Sequence, residues 1–220
     1  MTPGGDGQFV VGAGGAQLAL NTFNPTGFSL YGTHGKTLRL FLPRVGTMIE
    51  LNARLQLTSL QPGLVYGLYF YGCAPAACAT QHDEIGIELL TNLLQPGGSP
   101  LMVHLNRCAN EPLDAGNGVL AVLPAGFNPL SAHDWTIRWP FTRIDYLVDG
   151  VLLSSATTHV PEGPMQVNEI AWGPASDWTI AYSASLQPVN NAAQNQSFIA
   201  LLKSMTVNEI ATSSRSLENR

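Results

Sequence analysis

Glu84, Gly86 and Glu88 lie two residues apart within Gln81-His82-Asp83-Glu84-Ile85-Gly86-Ile87-Glu88-Leu89-Leu90. On a β-strand, successive side chains alternate between faces. Glu84, Gly86 and Glu88 therefore share one face, and Ile85, Ile87 and Leu89 supply the opposite face to a core. Two carboxylates on one open face are the equipment for cleaving a glycosidic bond. Four residue steps along a strand span about 13 Å. A retaining glycosidase needs its carboxyl groups about 5–5.5 Å apart, and an inverting one about 6.5–9.5 Å. The glutamates meet that requirement if their side chains lean together over residue 86. Taken by spacing alone, the pair is more often a solvated strand face.

The elements that position this strand are themselves strands. Helical periodicity is scarce, and short apolar or alternating runs are punctuated by Gly, Pro, Asn and Asp, the pattern of a β-sandwich. The expected strands are 28–31, 37–42, 48–57, 65–71, 84–90, 101–105, 135–139, 143–148, 151–155, 165–171 and 197–207. Asp149-Gly150 between two apolar runs predicts a hairpin joining two of them. Segments 92–100, 109–131 and 173–196 read as long loops at the sheet rims. Residues 184–187 and the end of the chain are the candidates for helix. Without a repeat or linker, residues 1–220 read as one domain, with 1–15 and 212–220 as flexible ends.

The composition narrows the partner. Only 11% of the 220 residues are charged, and the formal net charge is −5. A surface so poor in charge suits a neutral, hydroxyl-rich ligand. With 10 basic residues and no basic run, nucleic acid is disfavoured. No apolar run reaches the roughly 20 residues of a membrane span. The Gly-rich start lacks the pattern of a signal peptide, so a leader is either removed or absent. Cys73, Cys78 and Cys108 form no zinc pattern. A Cys73–Cys78 bridge would contribute about 2 kcal/mol by loop-closure entropy; free buried thiols are an equal alternative. No acidic oxygen cluster argues for calcium, and no cofactor is expected.

The run from His82 to Asn92 resembles the active-site strand of the family-16 glycoside hydrolases, which include laminarinases, lichenases and xyloglucan endotransglycosylases. The family pattern is His-Asp-Glu-Ile-Asp-(Ile/Phe)-Glu-Phe-Leu-Gly-Asn. Further stretches follow in family order. They are Leu51-Asn52-Ala53-Arg54, the strand ending in Leu105-Asn106, His133 to Trp139 with Ile144 to Val151, Pro164 to Gly173 with Asp177-Trp178, and the final run 197–207. The resemblance spans roughly residues 38–207.

It implies an all-β fold: two antiparallel sheets forming a concanavalin A-like jelly roll, with a concave glycan-binding face. It also implies a retaining endo-β-glycanase, a hydrolase or transglycosylase of β-glucan-like polysaccharide, acting outside the cytoplasm as a monomer. Glu84 takes the place of the nucleophile and Glu88 that of the general acid/base. Asn106, Trp172 and Trp178 fall at substrate-side positions, and Arg54 lies on a matching strand, where it either contacts the site or only pairs with a carboxylate. His104 shares a strand face with Asn106, so it either reaches the cleft or is a satisfied structural histidine. Trp172 and Trp178 offer flat faces to sugar rings. Trp135 and Trp139 fit the core, and His82 fits a structural role. The departure is Gly86, where the family carries an aspartate that hydrogen-bonds the nucleophile; the resemblance implies a weakened hydrolase, in which Gly86→Asp raises turnover if the glycine alone is the defect. A carbohydrate-binding module on the same fold is the competing expectation.

Overall fold

In the computed structural model, the residues described are 10–12, 14–25, 30–98, 100–113, 115 and 117–212. They form thirteen strands. β1 (Val10–Gly12), β2 (Gly15–Asn21), β4 (Thr47–Leu57), β9 (Ala132–Trp139), β10 (Ile144–Val148), β11 (Val151–Ala156) and β13 (Ser197–Ala211) build a seven-stranded sheet, in the order β1-β2-β13-β4-β9-β10-β11. β3 (Leu30–Lys36), β5 (Val65–Gly72), β6 (Gln81–Leu90), β7 (Met102–Pro112), β8 (Val119–Val122) and β12 (Gln166–Gly173) build a six-stranded sheet, in the order β3-β12-β5-β6-β7-β8. Every ladder is antiparallel. The helical content of the described residues is two single 3-10 turns, Thr91–Leu93 and Ala192–Gln194.

Period-2 alternation places the core. Ile49, Leu51, Ala53, Leu55 and Leu57 of β4 are buried, and the residues between them face outward. From the other sheet come Leu68 and Phe70 of β5, Ile85, Ile87 and Leu89 of β6, and Val103 and Leu105 of β7. Trp135 and Trp139 lie in this core, as expected, at 2% and 0% exposure. Phe70 packs on Trp139 at 5.5 Å between ring centroids. The Asp149-Gly150 hairpin forms between Val148 and Val151. Both turn residues have positive φ, 49° and 78°, which Asp tolerates and Gly favours. Cys73 and Cys78 are disulfide-bonded in the β5–β6 connection, and Cys108 is a free, buried thiol.

Several expected elements differ. Residues 37–42 form no strand. They touch the start of β12 at two points, through hydrogen bonds between Thr37 and Gln166–Val167 and through an isolated bridge from Phe41 to Met165, while Leu38 and Leu40 stand 83% and 55% exposed. The alternation there is genuine, but the run continues past β3 along the start of β12 with its ladder interrupted between Thr37 and Phe41. The strand expected at 28–31 falls partly on residues 26–29, outside the described set; β3 begins at Leu30. β2 was hidden in a run rich in Ala and Gly, although its Ala16, Leu18 and Leu20 alternate inward. β1 lies within 1–15. The stretch 109–131 contains the end of β7 and all of β8, so it is only partly loop. Ala184–Gln187 form a turn and bend leading into loop, not helix, and β13 runs to Ala211; residues 213–220 lie outside the described set.

Candidate active site

β6 runs through the middle of the six-stranded sheet, and the register assembles its outer face. Directly across from Glu84 stand Tyr71 and Cys108; from Gly86, Tyr69 and Asn106; from Glu88, Gly67 and His104. Next to Tyr69 on β12 is Asn168, and Lys36 and His34 of β3 continue that face.

A bulge sets the aim of Glu84. Between the pairs His82–Glu111 and Glu84–Cys108, β7 carries two residues, Ala109 and Asn110, against Asp83 alone on β6. Asn110 adopts φ 54°, and its backbone N–H donates to Asp83 Oδ1 at 2.7 Å. An extra residue of this kind bends the strand and redirects neighbouring side chains. A second irregularity, between Ile170 and Trp172, lies on β3 at Gly32 and Thr33. A Cβ at Gly32 would fall 2.5 Å from Ala19 O and 2.7 Å from Ala171 O, so only glycine fits.

Glu84 and Glu88 each retain 15% side-chain exposure, reachable from solvent yet largely desolvated. Glu84 leans over residue 86: its Oε1 lies 3.1 Å from where a Cβ at 86 would stand. Asn106 Nδ2 donates to that oxygen at 3.0 Å. On the other side, His82 Nε2 lies 3.4 Å from Glu84 Oε2. His82 is buried and stacks on Tyr71 at 5.4 Å. Its contact with the Glu84 carboxylate raises the imidazole pKa, against the opposing effect of burial.

Glu88 Oε2 and His104 Nδ1 lie 2.6 Å apart. Burial raises the Glu88 pKa above the ordinary carboxyl range; the His104 hydrogen bond and charge oppose that shift, and the Glu84 charge adds to it. A carboxyl group with a raised pKa keeps its proton closer to neutral pH, as a general acid must.

The tryptophans close one end of the face. Trp172 and Trp178 stack with centroids 5.4 Å apart and planes 21° from parallel. Both are partly buried against a small cluster of Val65, Leu90 and Ala181, separate from the main core. Trp178 meets His104 edge to face at 5.7 Å, which links the pair to Glu88. The structure thus gathers Glu84, Gly86, Glu88, Asn106, His104, Trp172 and Trp178 on one face.

Arg54 is the correction. It lies on β4 in the other sheet, on that sheet's outer side, and pairs with Asp134 of β9 at 2.7 Å. β4 pairs with β13 and β9, so its outward residues face away from the six-stranded sheet. Sequence reading missed Tyr69, Tyr71 and Asn168. Alternation within Val65-Tyr66-Gly67-Leu68-Tyr69-Phe70-Tyr71 was the available signal, because Leu68 and Phe70 point inward. Among the described residues, no group of three or more His, Cys, Asp or Glu is arranged to hold a metal ion. No helix among them is long and apolar enough to cross a membrane.

A two-sheet antiparallel jelly roll carrying two largely buried carboxyl groups on a central strand defines a class of carbohydrate-active domain. The model for "Glycosyl hydrolases family 16" matches residues 48–187, most of the chain and all of the strand that bears the carboxyls. The chain belongs to that family. Its fold is similar to a prokaryotic β-1,3-1,4-glucanase (lichenase) from a mouse hindgut metagenome, at 21% identity over 91% of this chain and 82% of that one, TM-score 0.65. It is similar to a Bacillus licheniformis β-glucanase at 19% identity, over 96% and 92%, TM-score 0.61. The laminarinase catalytic domain of Thermotoga maritima matches at 15% identity, over 94% and 82%, TM-score 0.65. No curated protein sequence matches the chain.

Proposed function

We propose that this protein is a retaining endo-β-glycanase acting on a neutral β-linked polysaccharide, with β-glucan as the first substrate class to test. The observation that carries the reading is the Glu84/Glu88 pair on one strand face, within a family-16 domain and with the Glu88 carboxyl pKa raised by burial. In the first step the Glu84 carboxylate attacks the anomeric carbon while Glu88 gives its proton to the departing glycosidic oxygen. The product is a glycosyl ester on Glu84 and a free sugar chain. In the second step the Glu88 carboxylate takes a proton from water, the water oxygen attacks the anomeric carbon, and Glu84 leaves with the anomeric configuration retained. A sugar hydroxyl in place of that water gives transglycosylation.

Trp172 and Trp178 supply the apolar platform for pyranose rings, and Tyr69 and Asn168 line the neighbouring positions. The low charge of the chain fits a neutral glycan. A Cys73–Cys78 disulfide suits an extracytoplasmic setting, and we place the protein there as a monomer.

Reducing-end release from laminarin, mixed-linkage β-glucan and xyloglucan tests the reading. Wild type is expected to cleave at least one of them, and Glu84→Gln to lose the activity by a factor of about a thousand or more. No turnover on any of them, with oligosaccharide binding retained in Glu84→Gln, would leave a glycan-binding module instead.

A further inference from the structure

The Glu84 carboxylate is held from the neighbouring strand, and its immediate strand neighbour gives way to it. Asn106 Nδ2 donates to Glu84 Oε1 at 3.0 Å. A Cβ at residue 86 would lie 3.1 Å from the same oxygen, 3.3 Å from Tyr69 Cβ and 3.8 Å from Asn106 Cβ. Contacts of 3.1 Å are tighter than a side chain accepts without a shift of its neighbours. The carboxylate therefore leans into space that glycine vacates, and the asparagine amide meets it there.

The asparagine is itself anchored. Its backbone carbonyl accepts a 2.7 Å hydrogen bond from the Tyr146 hydroxyl. Tyr146 is fully buried on β10, in the other sheet, so this bond crosses the core. Asn106 lies one residue past the last β7–β8 pair, Leu105 with Val119. A cross-sheet tether here fixes a backbone position that β8 does not hold.

We propose that Asn106 is the positioning residue for Glu84, that Gly86 leaves the carboxylate free to lean toward it, and that Tyr146 sets the position of Asn106. This rests on the reading of Glu84 as nucleophile. A neutral amide orients the carboxylate by donating a hydrogen bond, without adding charge or competing for a proton. An aspartate at 86 would bring a second negative charge beside Glu84 and a Cβ 3.1 Å from its Oε1, close enough to push the carboxylate by a few tenths of an ångström. Gly86→Asp alone is therefore expected to slow the enzyme, although the sequence resemblance alone implies that it would restore it.

The test isolates attack by Glu84. Dinitrophenyl β-glycosides of cello- and laminari-oligosaccharides, with fluorine beside the anomeric carbon, need no acid to release their leaving group. Their rate of covalent labelling reads the nucleophile and not Glu88. Wild type is expected to be labelled on Glu84, located by peptide mass. Asn106→Leu is expected to be labelled about ten- to a hundredfold more slowly, the effect of one charge-assisted hydrogen bond. Tyr146→Phe should show a smaller loss in the same direction, and Gly86→Asp a loss that Asn106→Leu does not deepen. Melting temperature and oligosaccharide affinity serve as controls for folding and binding.

Labelling of Asn106→Leu at the wild-type rate overturns the inference and leaves the nucleophile standing. Faster labelling of Gly86→Asp than of wild type overturns it as well. Failure of wild type to label on Glu84 overturns the nucleophile reading and this inference together.

Discussion

Glu88 and Glu169 are both carboxyl groups with raised pKa values, for related reasons and with opposite consequences. At Glu88, burial and the Glu84 charge raise the pKa while His104 lowers it. Removing His104 removes the opposing influence. In His104→Ala the alkaline limb of the kcat/KM profile, where Glu88 loses its proton, is expected to move to higher pH. kcat at the optimum should fall about tenfold, because the 2.6 Å contact that aims the carboxyl is gone. A limb that stays in place, or moves down, would mean that Glu88 does not control it. Glu169 is 1% exposed, turned to the interior, with no hydrogen-bonding partner for either oxygen among the described residues. Burial raises its pKa from 4.5 to about 7. The unfolded chain therefore ionises first as pH rises. The contribution of Glu169 to stability is greatest below about pH 4.5, declines up to about pH 7 and is level above that. The total loss is on the order of 3 kcal/mol. Glu169→Gln should flatten this region and melt several degrees higher than wild type at pH 8, as measured by thermal unfolding across pH 4–8. Equal pH dependence in the two proteins would refute the assignment.

Element by element, the strands that alternate cleanly could be read in advance, and those that depend on their partners could not. Ile85, Ile87 and Leu89 against Glu84 and Glu88 fixed the orientation of β6, and Asp149-Gly150 marked the β10–β11 hairpin. Residues 37–42 alternate equally well, but a strand needs an unbroken ladder, and theirs to 165–167 is interrupted between Thr37 and Phe41. β8 was obscured by the polar stretch that contains it. The contacts made by Glu84 with Asn106 and by Glu88 with His104 follow from the β6–β7 register, and the bulge at Ala109–Asn110 shifts that register. Local sequence does not announce where a bulge falls. Arg54 misled because a sequence match carries its strand along the chain without saying which sheet it joins. Gly118, at the entry to β8, is a similar case: a Cβ there would fall 2.0 Å from His104 Nε2. Gly118→Ala is expected to displace the His104 ring, release Glu88 and cost about tenfold in kcat, with little change in KM. An unchanged kcat would show that the ring can move without consequence for Glu88.

Across the whole molecule, the two sheets act as a frame that the site uses from behind. Thr33 Oγ1 of β3 bonds to both the N–H and the carbonyl of Ala19 on β2, each at 2.9 Å, which ties the sheets at one edge. Tyr146 ties them behind Asn106. The open face then needs little charge of its own. In the strands of the six-stranded sheet, Lys36 is the lysine or arginine whose register places it on the site face; Arg107 pairs with Ile85 on the inward side. A cleft that captured a sulfated or uronic glycan would need several such cations, and its affinity would fall as salt screened them. Capture by aromatic stacking and neutral hydrogen bonds is insensitive to salt, and burial of apolar surface is favoured slightly by some salts. The kcat/KM for a neutral β-glucan is therefore expected to change by less than about twofold between roughly 0.05 and 0.5 M sodium chloride, a range over which the screening length falls severalfold. Sulfated galactans should bind at least about tenfold more weakly than the neutral glycan at the lower salt concentration. A steep loss of kcat/KM with salt, or a preference for the sulfated chain, would require substrate-binding cations beyond Lys36, the one that the strand register puts on that face.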